Sequence, residues 1–253
     1  MHPTRAIACA ALTLIAAAPL HAQTAAAPET TRHSIWLVYG GDHPLSSRLG
    51  LIFDTQLRLV QSGDHERQLL VRPGLSFALN RHAKLSAGYA VSGSRIESDD
   101  PLVSRRPEHR VWASAQLSHQ VGPVSLAHRY RMEHRWLSGV SVDGAGAPTG
   151  ETWVTAERAR YSLRASVPLS GRGRLRNAYV AASDELFASF GGYAGDIALD
   201  QNRAAFALGM RVAPPVRVEI GYMLQSSAGD DGRFTERNHT LQIGVMSTAA
   251  LRR

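Results

Sequence analysis

The sequence is poor in cysteine and lysine: Cys9 and Lys84 are the only ones among 253 residues. Cys9 lies in an N-terminal stretch that reads as a removable export signal. The mature chain is therefore expected to lack disulfides, thiolate metal sites and a cysteine nucleophile. A lipoprotein signal is also excluded, because its apolar core would precede the cysteine, and here it follows. Beyond that stretch no apolar run reaches the ~20 residues that a membrane-spanning helix needs. No Pro/Gly/Ser-rich linker or shift of composition divides the chain, so a single domain is expected. No phosphate-binding glycine loop or nucleotide motif occurs, and no cofactor is expected.

What is present at the N-terminus is a short basic start (Met1 to Arg5), an apolar core (Ala6 to Leu20) and a small-residue cleavage site at Leu20-His21-Ala22. Residues 1–22 read as a cleaved signal peptide and 23–32 as a flexible leader, leaving 33–253 as the domain. The net charge is +7 and comes almost entirely from arginine. These arginines are spread along alternating stretches instead of clustering on one helix or loop. That pattern suits a solvated or lumen-lining face and argues against nucleic acid as a partner.

The clearest structural signal is Glu108 to Trp136. Val111, Ala113, Ala115 and Leu117, then Val124, Leu126, Tyr130, Met132 and Trp136, alternate with residues such as Arg110, Gln116, Arg129, Arg131, Glu133 and Arg135. Strict alternation is the strand period. A Val121-Gly122 turn between the arms predicts a hairpin. Arms of about 13 residues exceed the usual ~5–6 of a soluble strand and suit a tilted strand that crosses a bilayer. With Gln120 placed opposite Pro123, Glu108 faces Arg135, Arg110 faces Glu133 and Trp112 faces Arg131. Each such cross-strand pair is worth about 0.2–1 kcal/mol.

The same alternation recurs from Leu49 to the C-terminus. It predicts about ten strands and one doubtful strand at Ser34 to Gly40, whose apolar run is too continuous to assign faces. Short turns are expected near 80–82, 120–123, 169–174 and 213–215, and longer loops near 93–106, 137–152, 188–199 and 226–235. The fold class is thus all-β: an antiparallel up-and-down barrel of about 10–12 strands, of the outer-membrane type. Alternation alone does not say which face points outward. Two features favour apolar-out: aromatics near strand ends on the apolar face (Phe53, Tyr89, Tyr130, Trp136, Tyr161), and a polar face of arginines and carboxylates with almost no lysine.

Several motifs resemble a known family. They are Glu108-x-Arg110-x-Trp112, His128-Arg-Tyr-Arg-Met-Glu-His-Arg-Trp136, Arg160-Tyr-Ser-Leu-Arg164, Asp200-Gln-Asn-Arg203 and Gly221-Tyr222-x-x-Gln225. In this order they resemble the bacterial family known as domain of unknown function 2490, from about Trp36 to the C-terminus. The resemblance implies an exported β-barrel-like protein and carries no established activity. Many outer-membrane barrels end on an aromatic residue, whereas this tail reads Met246-Ser-Thr-Ala-Ala-Leu-Arg-Arg253.

Catalytic patterns are weak. Ser118-His119 and His239-Thr240 are adjacent on strands, so their side chains leave opposite faces and cannot form a nucleophile–base pair. His109, His128 and His134 lie on the apolar face. His128 and His134 are about 20 Å apart at strand rise, too far to share a metal ion. Glu108, Glu133 and Glu219 have arginine neighbours in sequence, which suits an ion pair better than a general acid, and Glu185 is read the same way from its place on the arginine-rich polar face. No enzyme and no metal site is expected.

The polar face is the functional candidate. Its expected lumen network comprises Arg58, Glu108, Arg110, Trp112, Arg129, Arg131, Glu133, Arg135, Arg158, Arg160, Arg164, Glu185, Gln201, Arg203 and Glu219. By parity the face also holds Arg72, Arg211, Arg217 and Asp54. The expectation is an outer-membrane barrel of structural, binding or narrow anion-preferring channel role. Its partners would be outer-membrane lipid, small anions and, during biogenesis, the barrel-assembly machinery. The alternatives are a membrane-embedded lipid-modifying enzyme and a soluble periplasmic ligand-binding barrel.

Overall fold

The computed structural model describes residues 30–62, 64–95, 105–144, 148–169, 177–191, 198–229 and 233–251. The expected signal peptide and most of the expected leader lie outside these residues. The strands are β1 (Thr30–Pro44), β2 (Leu49–Ser62), β3 (Asp64–Ala78), β4 (Ala83–Arg95), β5 (Arg105–Val121) and β6 (Val124–Val142). They continue with β7 (Pro148–Pro168), β8 (Ala178–Phe190), β9 (Ala198–Ala213), β10 (Val216–Ala228) and β11 (Phe234–Ser247). Each pairs with its sequence neighbours, and the sheet closes into an 11-stranded barrel.

The doubtful N-terminal strand is a full wall strand, and it takes in Thr30 to Arg32 from the expected leader. It sets the closure. In a meander of odd strand number the first and last strands run the same way, so they must pair in parallel. They do, from Thr30↔Glu236 to Gly41↔Ser247, while every other pair is antiparallel.

Side chains sort by parity around the whole ring. In β1, Ser34 and Trp36 are buried inside while Ile35 and Leu37 are exposed outside. Leu75, Phe77, Tyr130, Met132, Phe206, Leu208, Ile220 and Tyr222 are likewise exposed, although each is large and apolar. Inside sit the charges: Glu133 is 1 % exposed and Arg72 3 %. This is an inside-out arrangement relative to a water-soluble domain, which keeps charged groups on its surface.

The hairpin register differs from expectation by two residues. Val121 pairs with Val124, leaving Gly122-Pro123 as the loop, so Glu108 faces Leu137, Arg110 faces Arg135, Trp112 faces Glu133 and Ser114 faces Arg131. The turn chemistry explains this. Pro123 has no N–H to give a ladder pair with Gln120, and Gly122 takes φ +57°, which a valine at the first loop position would resist. A shift of two preserves parity, so every residue stays on its expected face.

The expected long loop at 137–152 is mostly ladder. β6 and β7 stay paired from Leu137↔Val154 to Val142↔Pro148. A two-stranded ladder needs only backbone partners, so it persists past the point where side-chain alternation fades. Of the other expected loops, 93–95 and 105–106 belong to β4 and β5, 188–190 and 198–199 to β8 and β9, and 226–228 and 234–235 to β10 and β11.

Trp112 seats the lumen's apolar floor. Its ring contacts Leu70 and Ala90, with Ile52 beside them, and its Nε1 donates to Tyr89 O at 3.3 Å. The space for it exists because Gly74 and Gly88 lack side chains. A Cβ on either would meet the indole Cζ2 at 2.5 or 2.8 Å.

Candidate functional site

All fifteen residues of the expected network point into the lumen, and most of them touch one another. Glu108 accepts a two-pronged contact from Arg110 (2.8 and 2.7 Å) and a third bond from Arg135 Nε at 2.5 Å. Glu133 accepts from Arg160 Nη1 at 2.7 Å and lies 3.8 Å from Arg110 and 3.9 Å from Arg131. Glu185 accepts from Arg160 and Arg129, both at 2.9 Å. Glu219 accepts from Arg164 at 2.6 Å and from the Tyr179 hydroxyl at 2.5 Å. The three contacts expected between directly opposed residues thus form as diagonals: Glu108–Arg135, Arg110–Glu133, and Arg131 over Trp112 at 4.7 Å.

Arg58 and Arg203 stand apart. Among the described residues neither forms an ion pair. Arg58 donates to Gln56 and Gln68, and Arg203 donates to Gln225. Both lie against Trp36, at 4.0 and 5.0 Å from its ring centre. Phe187 carries the stack onward, with Arg203 at 4.6 Å, Arg160 at 4.5 Å and Arg158 at 5.7 Å. Guanidiniums over aromatic faces gain from the ring quadrupole, by ~2 kcal/mol when desolvated. Together these side chains form a cross-lumen layer.

The layer separates two cavities. One, about 1060 Å³, opens toward the short turns; the other, about 360 Å³, lies toward the opposite end. Trp36, Arg160 and Arg203 line both. The larger is bounded by seven arginines against three carboxylates, Asp54, Glu185 and Glu219. The smaller holds Arg58, Gln201, Glu108, Arg110, Arg135 and Arg158. Both interiors are net positive.

Three members escaped the parity reading. Asp200 binds Arg158 at 2.6 Å and Ser189 at 2.6 Å inside the lumen, although its neighbour Gln201 also faces inward. A bulge between Phe187↔Gln201 and Ala188↔Leu199 makes Asp200 the extra residue, and the bulge re-aims its side chain. Trp36 lies in the run whose faces could not be assigned. Phe187 shares the parity of Glu185, and that parity was its available signal. Arg211 and Arg217 keep the expected strand positions but are exposed near the β9–β10 turn.

The outer wall carries polar and charged groups of its own, and many of these are paired, Glu157 with His134 and Asp184 with Asn202 among them. Tyr89 bonds His109 (2.5 Å), Tyr161 bonds His128 (2.9 Å), Tyr222 bonds His239 (2.6 Å) and Tyr39 bonds His43 (3.0 Å). His119 stacks on His128, while the adjacent Ser118 contacts Gln116 inside. Thr240 contacts Ser34 inside, while His239 is outside. Among the described residues no three His, Cys, Asp or Glu side chains gather to hold a metal ion.

With this geometry the arginines and carboxylates of motifs spread over most of the wall come together in the lumen. A family model matches residues 33–236, from β1 to the start of β11. The chain belongs to the family described as protein of unknown function (DUF2490). No curated protein matches the sequence. The matched span of this DUF2490 barrel includes every expected lumen residue and the whole Trp36–Phe187 layer.

Proposed function

We propose that this chain is a β-barrel of the bacterial outer membrane, exported by a cleaved signal, whose plugged, positively charged lumen serves binding and not open conduction or catalysis. The observation that carries the membrane part is the outer wall. Each of the eleven strands puts at least one large apolar side chain on it, and many of its polar groups are paired within the wall: four tyrosines with histidines, His134 with Glu157 and Asn202 with Asp184. In lipid such groups need internal partners. Closure also leaves no strand edge, as a bilayer demands.

The observation that carries the binding part is the layer of Trp36, Phe187, Arg58, Arg160 and Arg203 between two lumen cavities. An 8-stranded barrel is just filled by its interior side chains, and eleven strands leave room for more. Here that room is divided instead of running through. Surplus arginine makes any residual path favour anions. Outer-membrane lipid is the surrounding partner, and the barrel-assembly machinery would insert the chain.

Fractionation with gel mobility before and after boiling tests the membrane part. The expected result is detergent-dependent extraction and a heat-modifiable band; extraction into plain buffer would contradict it. Planar-bilayer recording tests the plug. Closed or very small anion-preferring currents are expected, and a large cation-selective conductance would contradict the reading.

A further inference from the structure

The larger cavity has two chemically different walls, and they face one another across the ring. On the β6–β7 side stand Arg129 and Arg164. The register sets Arg129 opposite Ser162 and Arg164 opposite Ala127, so the two guanidiniums are diagonal neighbours on one hairpin. Their side chains are 35 % and 37 % exposed, against 10 % or less for Arg110, Arg131, Arg135 and Arg160. Each spends one nitrogen on a carboxylate, Arg129 on Glu185 and Arg164 on Glu219. Those carboxylates have second donors, Arg160 and Tyr179. The remaining guanidinium nitrogens of Arg129 and Arg164 are available for oxygens of a bound anion.

The other side, β9 to β1, carries two charges below Arg203, Arg217 and the Glu219 that Arg164 holds, both on β10. Its other inward positions include Val38, Ala207, Gly221, Met223, Gly244 and Met246. Arginines and glutamates fill the corresponding positions elsewhere, so these small residues are the reason the cavity exists.

The geometry points to a binding site for an amphipathic organic anion in this vestibule. Its acidic head is held by Arg129 and Arg164, and its apolar portion lies on the Ala207–Gly221–Gly244 wall. A small inorganic anion would satisfy only the first wall, and a neutral amphiphile only the second. About 1060 Å³ is at the upper end of small-molecule pockets, which run ~300–1,000 Å³. This inference deepens the binding role proposed above and rests on it, but not on the membrane location.

Octyl phosphate, octanol and inorganic phosphate are suitable probes, titrated calorimetrically into the heat-modifiable barrel in lipid nanodiscs, with empty nanodiscs subtracted. Octyl phosphate should bind saturably at one site, at least ten-fold more tightly than inorganic phosphate, and octanol should show no saturable binding. Arg129→Gln with Arg164→Gln should weaken octyl phosphate at least ten-fold. Gly244→Phe should abolish its binding while leaving the barrel folded, because a Cβ there meets only the flexible Met246 Cε at 3.4 Å and Val38 atoms near 3.9 Å. Three results would overturn the site: no saturable octyl phosphate binding, equal affinity for inorganic phosphate, or binding untouched by Gly244→Phe in a heat-modifiable variant. A barrel that proves water-soluble would sink the membrane reading alone, since the same titration then runs in plain buffer.

Discussion

Glu133→Gln is the sharpest perturbation of the lumen network. Glu133 is 1 % exposed and neighbours three guanidiniums, Arg160 at 2.7 Å, Arg110 at 3.8 Å and Arg131 at 3.9 Å. The substitution keeps shape and one acceptor oxygen but removes the charge. Arg160 would still hold Glu185, and Arg110 would still hold Glu108. Arg131 would keep only the Trp112 face. Breaking a buried pair from one side costs about 3–5 kcal/mol. With one of three guanidiniums orphaned, the lower end is expected, about 3 kcal/mol. Equilibrium urea unfolding of the barrel in lipid vesicles, read by loss of the heat-modifiable band, measures it. Adding Arg131→Met should recover most of the loss, because the orphaned charge is then gone. A loss below about 1 kcal/mol, within the range of exposed pairs, would refute the reasoning. So would a double variant whose cost is the sum of the two singles.

Other consequences follow from single contacts. Trp112→Ala should destabilise by about 3–5 kcal/mol through the cavity it leaves, measured by the same unfolding curve. Gly88→Ala should cost about 1–3 kcal/mol, because its Cβ would lie 2.2 Å from the Pro73 carbonyl, a backbone atom that cannot swing away. Gly122→Val forces a β-branched residue toward the φ of +57° and should cost about 1–2 kcal/mol, visible as a lowered urea midpoint. Phe187→Ala removes the ring that Arg158, Arg160 and Arg203 share. It should turn a closed lumen into one that passes anions in preference to cations in a planar bilayer; unchanged closure would count against the layer as the plug.

Facing was the most legible property of the sequence. A period of two fixes it without knowledge of partners, and Arg110, Arg131, Glu133 and Glu185 all lie where parity puts them. Register was less legible, since it depended on whether Gly122 entered the turn first or second. The answer lay in Pro123, which cannot serve as a ladder partner. Strand count hung on β1, whose Ile35-Trp36-Leu37-Val38 run hides its alternation by placing an indole on the lumen side. Asp200 was invisible because a bulge breaks the period that the reading relied on. The division of the lumen was illegible for another reason. It arises from Trp36, Phe187 and Arg203, which are remote in sequence and meet only when the ring closes.

The account stands on orientation, and the near-absence of cysteine makes orientation measurable. Single substitutions Leu208→Cys and Ile220→Cys on the outer wall, and Ser162→Cys and Gln242→Cys on the inner wall, can be spin-labelled in the barrel reconstituted in lipid. Labels on Leu208 and Ile220 should collide with lipid-dissolved oxygen and be shielded from a water-soluble nickel chelate, and labels on Ser162 and Gln242 should show the reverse preference. Chelate access at Leu208 and Ile220 equal to that of a free label in buffer would contradict the account.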